Sequence, residues 1–468
     1  MRRRFAAFAA LGIATAAAGA AADDKDLDLI PDAVMTDEAP KAPSAGSARN
    51  STKAYVEEAL TFPGWRNRFT VPPPAQAHPD WKNRVSLDLR TEQAVADSLT
   101  LTYSGRLNLY HQEGASFESR HDVRHDLREA YATWRASPES FLDIGRINLK
   151  SGVALGFNPT DFFKPGAVID RISEDPSVLR ETRLGTLVAR GQTVWEGGAA
   201  TLAYAPDVHD RGRAYATDNR SFDPGFDRTN AEHRFLAKTS LELAKDFAPE
   251  LLLYREADRT KYGLNLTRGV GDAVTVYGEW AAGRRASLVE EAYRDALKTG
   301  LFNAGTARLM PGDRDERIMH DVAFGASYAT ASKVTTNLEY HFHEAGMSRQ
   351  DWRNWFDTGR SVSGNAGARS QLWQIRNYAV DRQEPLSQHS IFLRSEWQDA
   401  FVRDLKLSGL ANVNAYDRST LLQLSADYHY SDAWTFGLRG TGNVGTGNSE
   451  RGSATQFGSV VLKAIRYF

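Results

Sequence analysis

The chain contains no cysteine, which excludes disulfides, thiol catalysis, Cys-based zinc sites, c-type haem attachment and lipoprotein anchoring together. Beyond its first residues it also lacks any run of about 18 apolar residues, so no transmembrane helix is available. Neither sign of charge dominates, with 57 Lys and Arg against 59 Asp and Glu. That balance removes the basic excess of a nucleic-acid surface, and no nucleic-acid partner is expected. G-x-S-x-G and H-E-x-x-H are both missing. Gly269-Val270-Gly271 reads as a tight turn, because no helix comes after it to present its N-terminus to a phosphate. No catalytic residue, cofactor or metal is expected, and the chain is not read as an enzyme.

What is present begins with Arg2, Arg3 and Arg4 before an Ala-rich apolar run that ends at Ala20-Ala21-Ala22. This is the layout of a cleavable secretory signal, 1–22. Residues 23–60 carry acidic residues, Pro and small residues without period and read as a periplasmic leader. Within it Thr52 to about Leu60 suggests a short helix, and Pro72-Pro73-Pro74 prevents any regular element from continuing through that point. The third region is 61–468.

From Arg84 onward the sequence alternates with period two. Leu99, Leu101, Tyr103, Gly105, Leu107 and Leu109 interleave with Thr100, Thr102, Ser104, Arg106, Asn108 and Tyr110. Val334, Thr336, Leu338, Tyr340 and Phe342 interleave with Thr335, Asn337, Glu339, His341 and His343. A helix would scatter those charges over every face, whereas a strand puts them all on one. These runs have the roughly 9–11 residues that a tilted strand needs to cross hydrocarbon, longer than most soluble strands. Trp134, Trp195, Trp280, Trp397 and Trp434 recur near segment ends, as a girdle at headgroup level requires. A mean hydropathy of -0.47 is compatible with a wet-lumen barrel, because lipid-facing and water-facing residues average out.

About seventeen such segments lie after Arg84. Short connections, as at Asp97, Pro138, Glu196-Gly197, Gly271-Asp272 and Ser431-Asp432, alternate with long ones near 113–121, 149–180, 207–230, 286–316, 346–385 and 446–454. This is the parity of periplasmic turns and extracellular loops. It makes Val85–Leu89 run inward and requires one outward strand before it, placed within 61–83. The expected fold is all-β: a transmembrane antiparallel β-barrel of about 18 strands, with 16 as the alternative, in a bacterial outer membrane. Leu288–Lys298 and Ser370–Tyr378 read as helices inside the long extracellular connections.

Two stretches resemble known families. The C-terminal run Val460, Leu462, Ala464, Phe468 is similar to the insertion signal of outer-membrane proteins, departing from it at Arg466. It implies the barrel-insertion machinery as a partner. Residues 127–163, with Glu129-Ala130-Tyr131, Gly145-Arg146, Gly152, Gly156 and Asn158-Pro159-Thr160-Asp161-Phe162-Phe163, resemble a segment of large outer-membrane channel families that include uncharacterised and alginate-export-like barrels. Those families often continue the Gly-Arg with Gln and Trp-Gly, where this chain has Ile147 and Asn148.

The stiff, Pro-containing connection 149–180 is expected to fold back into the pore, with Asn158, Asp161, Phe162 and Phe163 as constriction candidates. Polar parity gives Arg106, Glu129, Arg135, Lys261, Glu279, Glu339, Arg394, Glu396, Arg439 and Lys463 as pore-lining candidates. Their mixed signs predict mutual pairing and modest selectivity. His341 and His343 share a face with Glu339 and read as polar filler. The expected protein is a monomeric porin-like channel for small hydrophilic solutes or a hydrophilic export product, embedded in outer-membrane lipid and lipopolysaccharide. The rival reading is a plugged barrel that recognises a surface glycan or a partner.

Overall fold

The computed structural model describes residues 50–74, 78–113, 123–208, 224–244 and 247–468. The expected signal peptide, the leader up to residue 49, and the central parts of the connections near 113–121 and 207–230 lie outside the described residues.

Eighteen antiparallel strands succeed one another around a closed ring. They are β1 (Ser51–Trp65), β2 (Lys82–Ala96), β3 (Leu99–Gln112), β4 (Val123–Ser137), β5 (Ser140–Ile147) and β6 (Thr186–Trp195). Next come β7 (Gly198–Ala205), β8 (Arg234–Leu241), β9 (Glu250–Glu256), β10 (Arg259–Val270), β11 (Val274–Arg285) and β12 (Arg317–Ala329). The ring is completed by β13 (Val334–His343), β14 (His389–Trp397), β15 (Leu405–Asn414), β16 (Thr420–Ser431), β17 (Trp434–Val444) and β18 (Gln456–Tyr467). Connections hold α1 (Pro176–Thr182), α2 (Phe226–Thr229), α3 (Leu288–Lys298), α4 (Arg349–Ser361) and α5 (Ala366–Arg382).

Closure is made by β1, which pairs with β18 from Tyr55↔Tyr467 to Trp65↔Gln456 and with β2 from Ser51↔Glu92 to Thr61↔Lys82. This corrects two expectations. Thr52–Leu60 is strand and not helix, and the strand before Val85 occupies 51–65, sharing only 61–65 with the expected 61–83. The Glu57-Glu58-Ala59-Leu60 run has good helix formers. An open seam, however, would leave two rows of backbone N–H and C=O groups unpaired in hydrocarbon, which outweighs propensity.

Large apolar side chains stand exposed on the outer wall, among them Leu202, Phe324, Leu338 and Leu424 at 57%, 60%, 55% and 70%. An apolar surface of this extent around a whole barrel is untenable in water and matches hydrocarbon. Polar residues of the opposite parity, such as Asp88, Arg106, Asn265, Glu279 and Glu339, are buried inside. The chain is an outer-membrane β-barrel.

Connections alternate in length as expected, with two additions. The extracellular turns between β9 and β10 and between β15 and β16 are tight, with positive φ at Ala257 and Arg418. Helix α3 coincides with the expected span, α5 extends the expected one at both ends, and α4 is additional to both. Helix α4 is set by a full capping box in which Ser348 and Asp351 exchange bonds. At the extracellular end Val71, Leu288, Met310, Met347, Trp352, Trp355, Phe356, Leu372 and Trp373 form one buried apolar cluster. The connections after β1, β11 and β13 thereby join into a cap.

Candidate functional site

The connection from β5 to β6, residues 148–185, enters the lumen and touches opposite walls. Its first half docks on β9 to β14. Glu279 of β11 accepts the backbone N–H groups of Val153, Ala154 (2.6 Å) and Thr160 (3.3 Å), the Thr160 hydroxyl (3.0 Å) and the Asn158 amide (3.3 Å). Glu339 of β13 accepts the N–H groups of Leu155 at 2.6 Å and Gly156 at 2.8 Å, together with the Tyr277 hydroxyl at 2.8 Å. Oε2, the oxygen that accepts Gly156 N–H, also lies 2.7 Å from His341 Nε2. Each buried carboxylate is thus solvated by the loop's own backbone, the condition under which a buried charge is tolerated.

The loop's second half reaches the far side of the ring. Asp170 accepts the Tyr110 hydroxyl of β3 at 2.8 Å and lies 3.5 Å from Arg84 of β2. Gln423 of β16 accepts Glu174 N–H at 2.8 Å, and the loop then returns to the first wall, where Asp175 pairs with Arg394 of β14 at 2.9 Å. Strands β2 and β11 are nine places apart in the eighteen-strand ring, so the loop is pinned across a diameter.

Two glycines make the docking possible. A Cβ on Gly152, whose φ is +90°, would sit 2.5 Å from Glu279 Oε1. One on Gly156 would sit 2.5 Å from the Phe392 ring and 2.7 Å from His341 Cε1.

The four constriction candidates all lie on this loop with buried side chains. Asn158 contacts Ala154 O and Glu279, and Asp161 pairs with Arg183 at 2.7 Å. Phe162 stacks on Tyr254 at 4.7 Å and Phe163 meets the same ring edge-on at 5.7 Å. They hold the loop together and against the wall. Burial works to raise the Asp161 carboxyl, but Arg183 and Arg180 outweigh it and hold it below its ordinary value. Lys164 Nζ donates to Asn158 O at 2.6 Å, and burial brings its ammonium down to about 8.

All ten pore-lining candidates occupy inward-facing positions, and most are paired. Arg106 binds Asp88 at 2.9 Å, and Arg394 binds Glu396 at 2.8 Å. Lys406 joins Glu396 at 3.2 Å, and Lys463 binds Asp427 at 2.7 Å. Glu129 accepts the N–H of Asn148 at 3.2 Å, where the loop leaves the wall. Arg439 donates to Ile172 O of the loop. Arg135 lies over Phe141 at 5.9 Å, and Lys261 lies 6.0 Å from the Phe162 ring.

One inward residue escaped the parity rule. The β3–β4 register shifts between Ser104↔Glu129 and Gly105↔Leu127, so Arg128 is a bulge. Its guanidinium reaches Asp88 at 2.5 Å. Arg146 of the Gly-Arg pair was also unassigned. It is buried at the extracellular rim, donating to Gly185 O at 3.0 Å and covering the Phe226 ring at 5.1 Å. Gly145 before it has φ +140°, and a Cβ there would meet Ala130 O at 2.3 Å.

Between the loop and the β2–β4 wall lies a solvent-open cleft, lined by Arg84, Arg106, Asn108 and Asp126 on one side and Ile169 and Asp170 on the other. Above, the cap rests on the loop. Gly166 N–H donates to Asp381 O at 2.9 Å, and Gln383 donates to Lys164 O. Glu384 just beyond α5 binds Arg285 at 2.9 Å and lies 3.6 Å from His343. Burial works to raise the Glu384 carboxyl, but Arg285, His343 and Arg382 hold it well below its ordinary value.

No protein-family model and no curated protein matches the sequence. Among solved structures, the chain is similar to OccK11 (OpdR) of Pseudomonas aeruginosa at 11% identity and a TM-score of 0.49, covering 90% of this chain and 96% of that one. OccAB4 of Acinetobacter baumannii matches at 8% identity and 0.48, covering 91% and 99%. A mutant of the Rh. blastica porin matches at 9% and 0.39, covering 90% and 100%. No substrate passes to this chain at such distances, and the barrel assignment stands on its own strand register.

Proposed function

We propose that the protein is an outer-membrane channel for small hydrophilic solutes or a hydrophilic export product, narrowed by residues 148–185 and working without covalent chemistry. The observation that carries this reading is the loop pinned across a diameter, with a charged cleft left beside it between Arg84, Arg106 and Asp170. An eighteen-strand ring is wide enough to leave an aqueous interior unless something fills it. The resemblance of residues 127–163 to alginate-export-like barrels belongs to the same proposal.

Because the chain has no cysteine, substituted-cysteine block is a clean test. Arg106→Cys protein, refolded and inserted in a planar bilayer, is expected to conduct in discrete steps and to lose conductance when a charged thiol reagent is added. Wild type should not respond to the reagent. A folded barrel that is silent before and after removal of 149–180 would sink the channel reading.

A second reading has its own support, since the apolar cap around Trp355 and Trp373 sits on the loop. That reading expects silence in the bilayer together with binding of a surface glycan or partner protein.

A further inference from the structure

The outer wall carries a patch that solute passage does not use. On β9, Leu251, Leu253 and Arg255 share the outward parity, and Arg255 is the exposed residue nearest the extracellular turn. On β11 the corresponding outward residue is Arg284, also exposed. Strand β10 runs between them. Arg255 pairs with Thr260, and Lys261 pairs with Gly283, which puts Thr260 beside Arg284. The two arginines therefore stand two strand spacings apart, about 10 Å, close enough for two long side chains to converge on one group.

Neither guanidinium is neutralised. Arg255 donates one N–H to Ala257 O and Arg284 one to Glu316 O, each at 3.1 Å. Among the described residues neither forms an ion pair. The nearby carboxylates are paired, Glu316 with Arg294 at 2.7 Å and Glu344 with Arg317, while the second oxygen of Glu344 accepts the His320 backbone N–H at 2.9 Å.

A third donor comes from β12, where Ala282↔His320 places His320 one strand further on. The indole N–H of Trp280 donates to His320 Nδ1 at 3.2 Å. Indole is a donor only, so this bond fixes the neutral ring's proton on Nε2. Towards the membrane centre the same outward surface is apolar, with Tyr262 56% and Phe324 60% exposed.

Uncompensated arginines are costly beside hydrocarbon and favourable beside a phosphate, which guanidinium binds through paired N–H donors. We propose that Arg255, Arg284 and His320 form a binding site on the outer wall for the phosphate-bearing headgroup of an outer-leaflet glycolipid, whose acyl chains lie along Tyr262 and Phe324. The inference goes beyond the channel reading and does not depend on it.

The test uses the whole mature barrel in detergent, with native mass spectrometry of complexes formed with bisphosphorylated lipid A. Wild type is expected to hold the lipid at least tenfold more tightly than R255Q/R284Q. R255K/R284K should recover part of the loss. Arg268 is outward and exposed at the periplasmic end of β10, and R268Q should bind as wild type does. Heat-dependent gel mobility verifies that each variant is folded. Equal binding by wild type and R255Q/R284Q would overturn the site, as would equal loss in R268Q. Undiminished binding of a dephosphorylated lipid would overturn the phosphate, and full competition by inorganic phosphate at the lipid's concentration would overturn the lipid as its source.

Discussion

Gly156 and Glu339 lie 183 residues apart in sequence, yet the backbone N–H of the first donates to the carboxylate of the second at 2.8 Å. The contact joins a loop inside the lumen to a strand of the wall, and Glu279 repeats it two strands away through Ala154 at 2.6 Å. A backbone donor bonded to a buried carboxylate contributes about 1.5–3 kcal/mol. Several such bonds on each of two carboxylates make the loop a fixed part of the barrel.

Replacing both carboxylates by amides retains shape and removes the charge. The E279Q/E339Q double variant is expected to fold, to unfold at lower temperature than wild type, and to show frequent conductance transitions in a bilayer as the loop leaves the wall. Quiet conductance identical to wild type would contradict the anchoring role.

Gly152 and Gly156 tolerate no side chain where they stand. Gly152→Ala adds left-handed backbone strain to a clash with Glu279, and overpacking of this kind costs about 1–3 kcal/mol. Gly191, with open space around its Cβ position, is the control, and Gly191→Ala is expected to leave the heat-induced mobility shift unchanged while Gly152→Ala lowers its midpoint.

The strand framework was legible because a barrel wall imposes one rule on every residue, in to water and out to lipid, and the seventeen segments after Arg84 obey it. Strand β1 was expected from parity but placed too late, because Glu57, Ala59 and Leu60 carry helix propensity and only closure of the ring settles their state. Arg128 was missed because a bulge leaves no mark in the alternation. The anchoring role of Asn158 and Asp161 was illegible for another reason. Their partners Glu279 and Arg183 are 121 and 22 residues away, and no local pattern encodes such pairings. Alternation located the lumen charges, and pairing across strands decided what they touch.

Asp161 makes the loop sensitive to acid. Its carboxyl is held below the ordinary value in the folded protein, so its contribution is fully present above the unfolded pKa of about 3.9 and is lost as pH falls through the folded value. Lys164 acts with the same sign in a higher window. With its ammonium at about 8, the unfolded chain binds more protons between about pH 8 and 10.4, and stability rises with pH across that window. Thermal midpoints are expected to fall below about pH 4 and to climb modestly from pH 8 to 10. Asp161→Asn leaves Arg183 buried without its partner, costs about 3–5 kcal/mol, and should flatten the acid limb.

The cap offers a test that separates its stability from that of the wall. Trp355 is fully buried at the centre of the cluster, with its indole N–H donating to Leu372 O at 3.0 Å. Arg376 lies over the Trp352, Trp355 and Trp373 rings at 5.8, 5.6 and 5.1 Å, and burial brings its guanidinium down to about 10. Truncating such a ring costs about 3–5 kcal/mol, a loss confined to the connections because the cluster contains no wall residue. Trp355→Ala is expected to keep the barrel's heat-dependent mobility while exposing residues 346–385 to protease added from outside. If the cap rather than the loop limits entry, conductance rises in the same variant. Unchanged conductance with a cleaved cap leaves residues 148–185 as the narrowest part of the path.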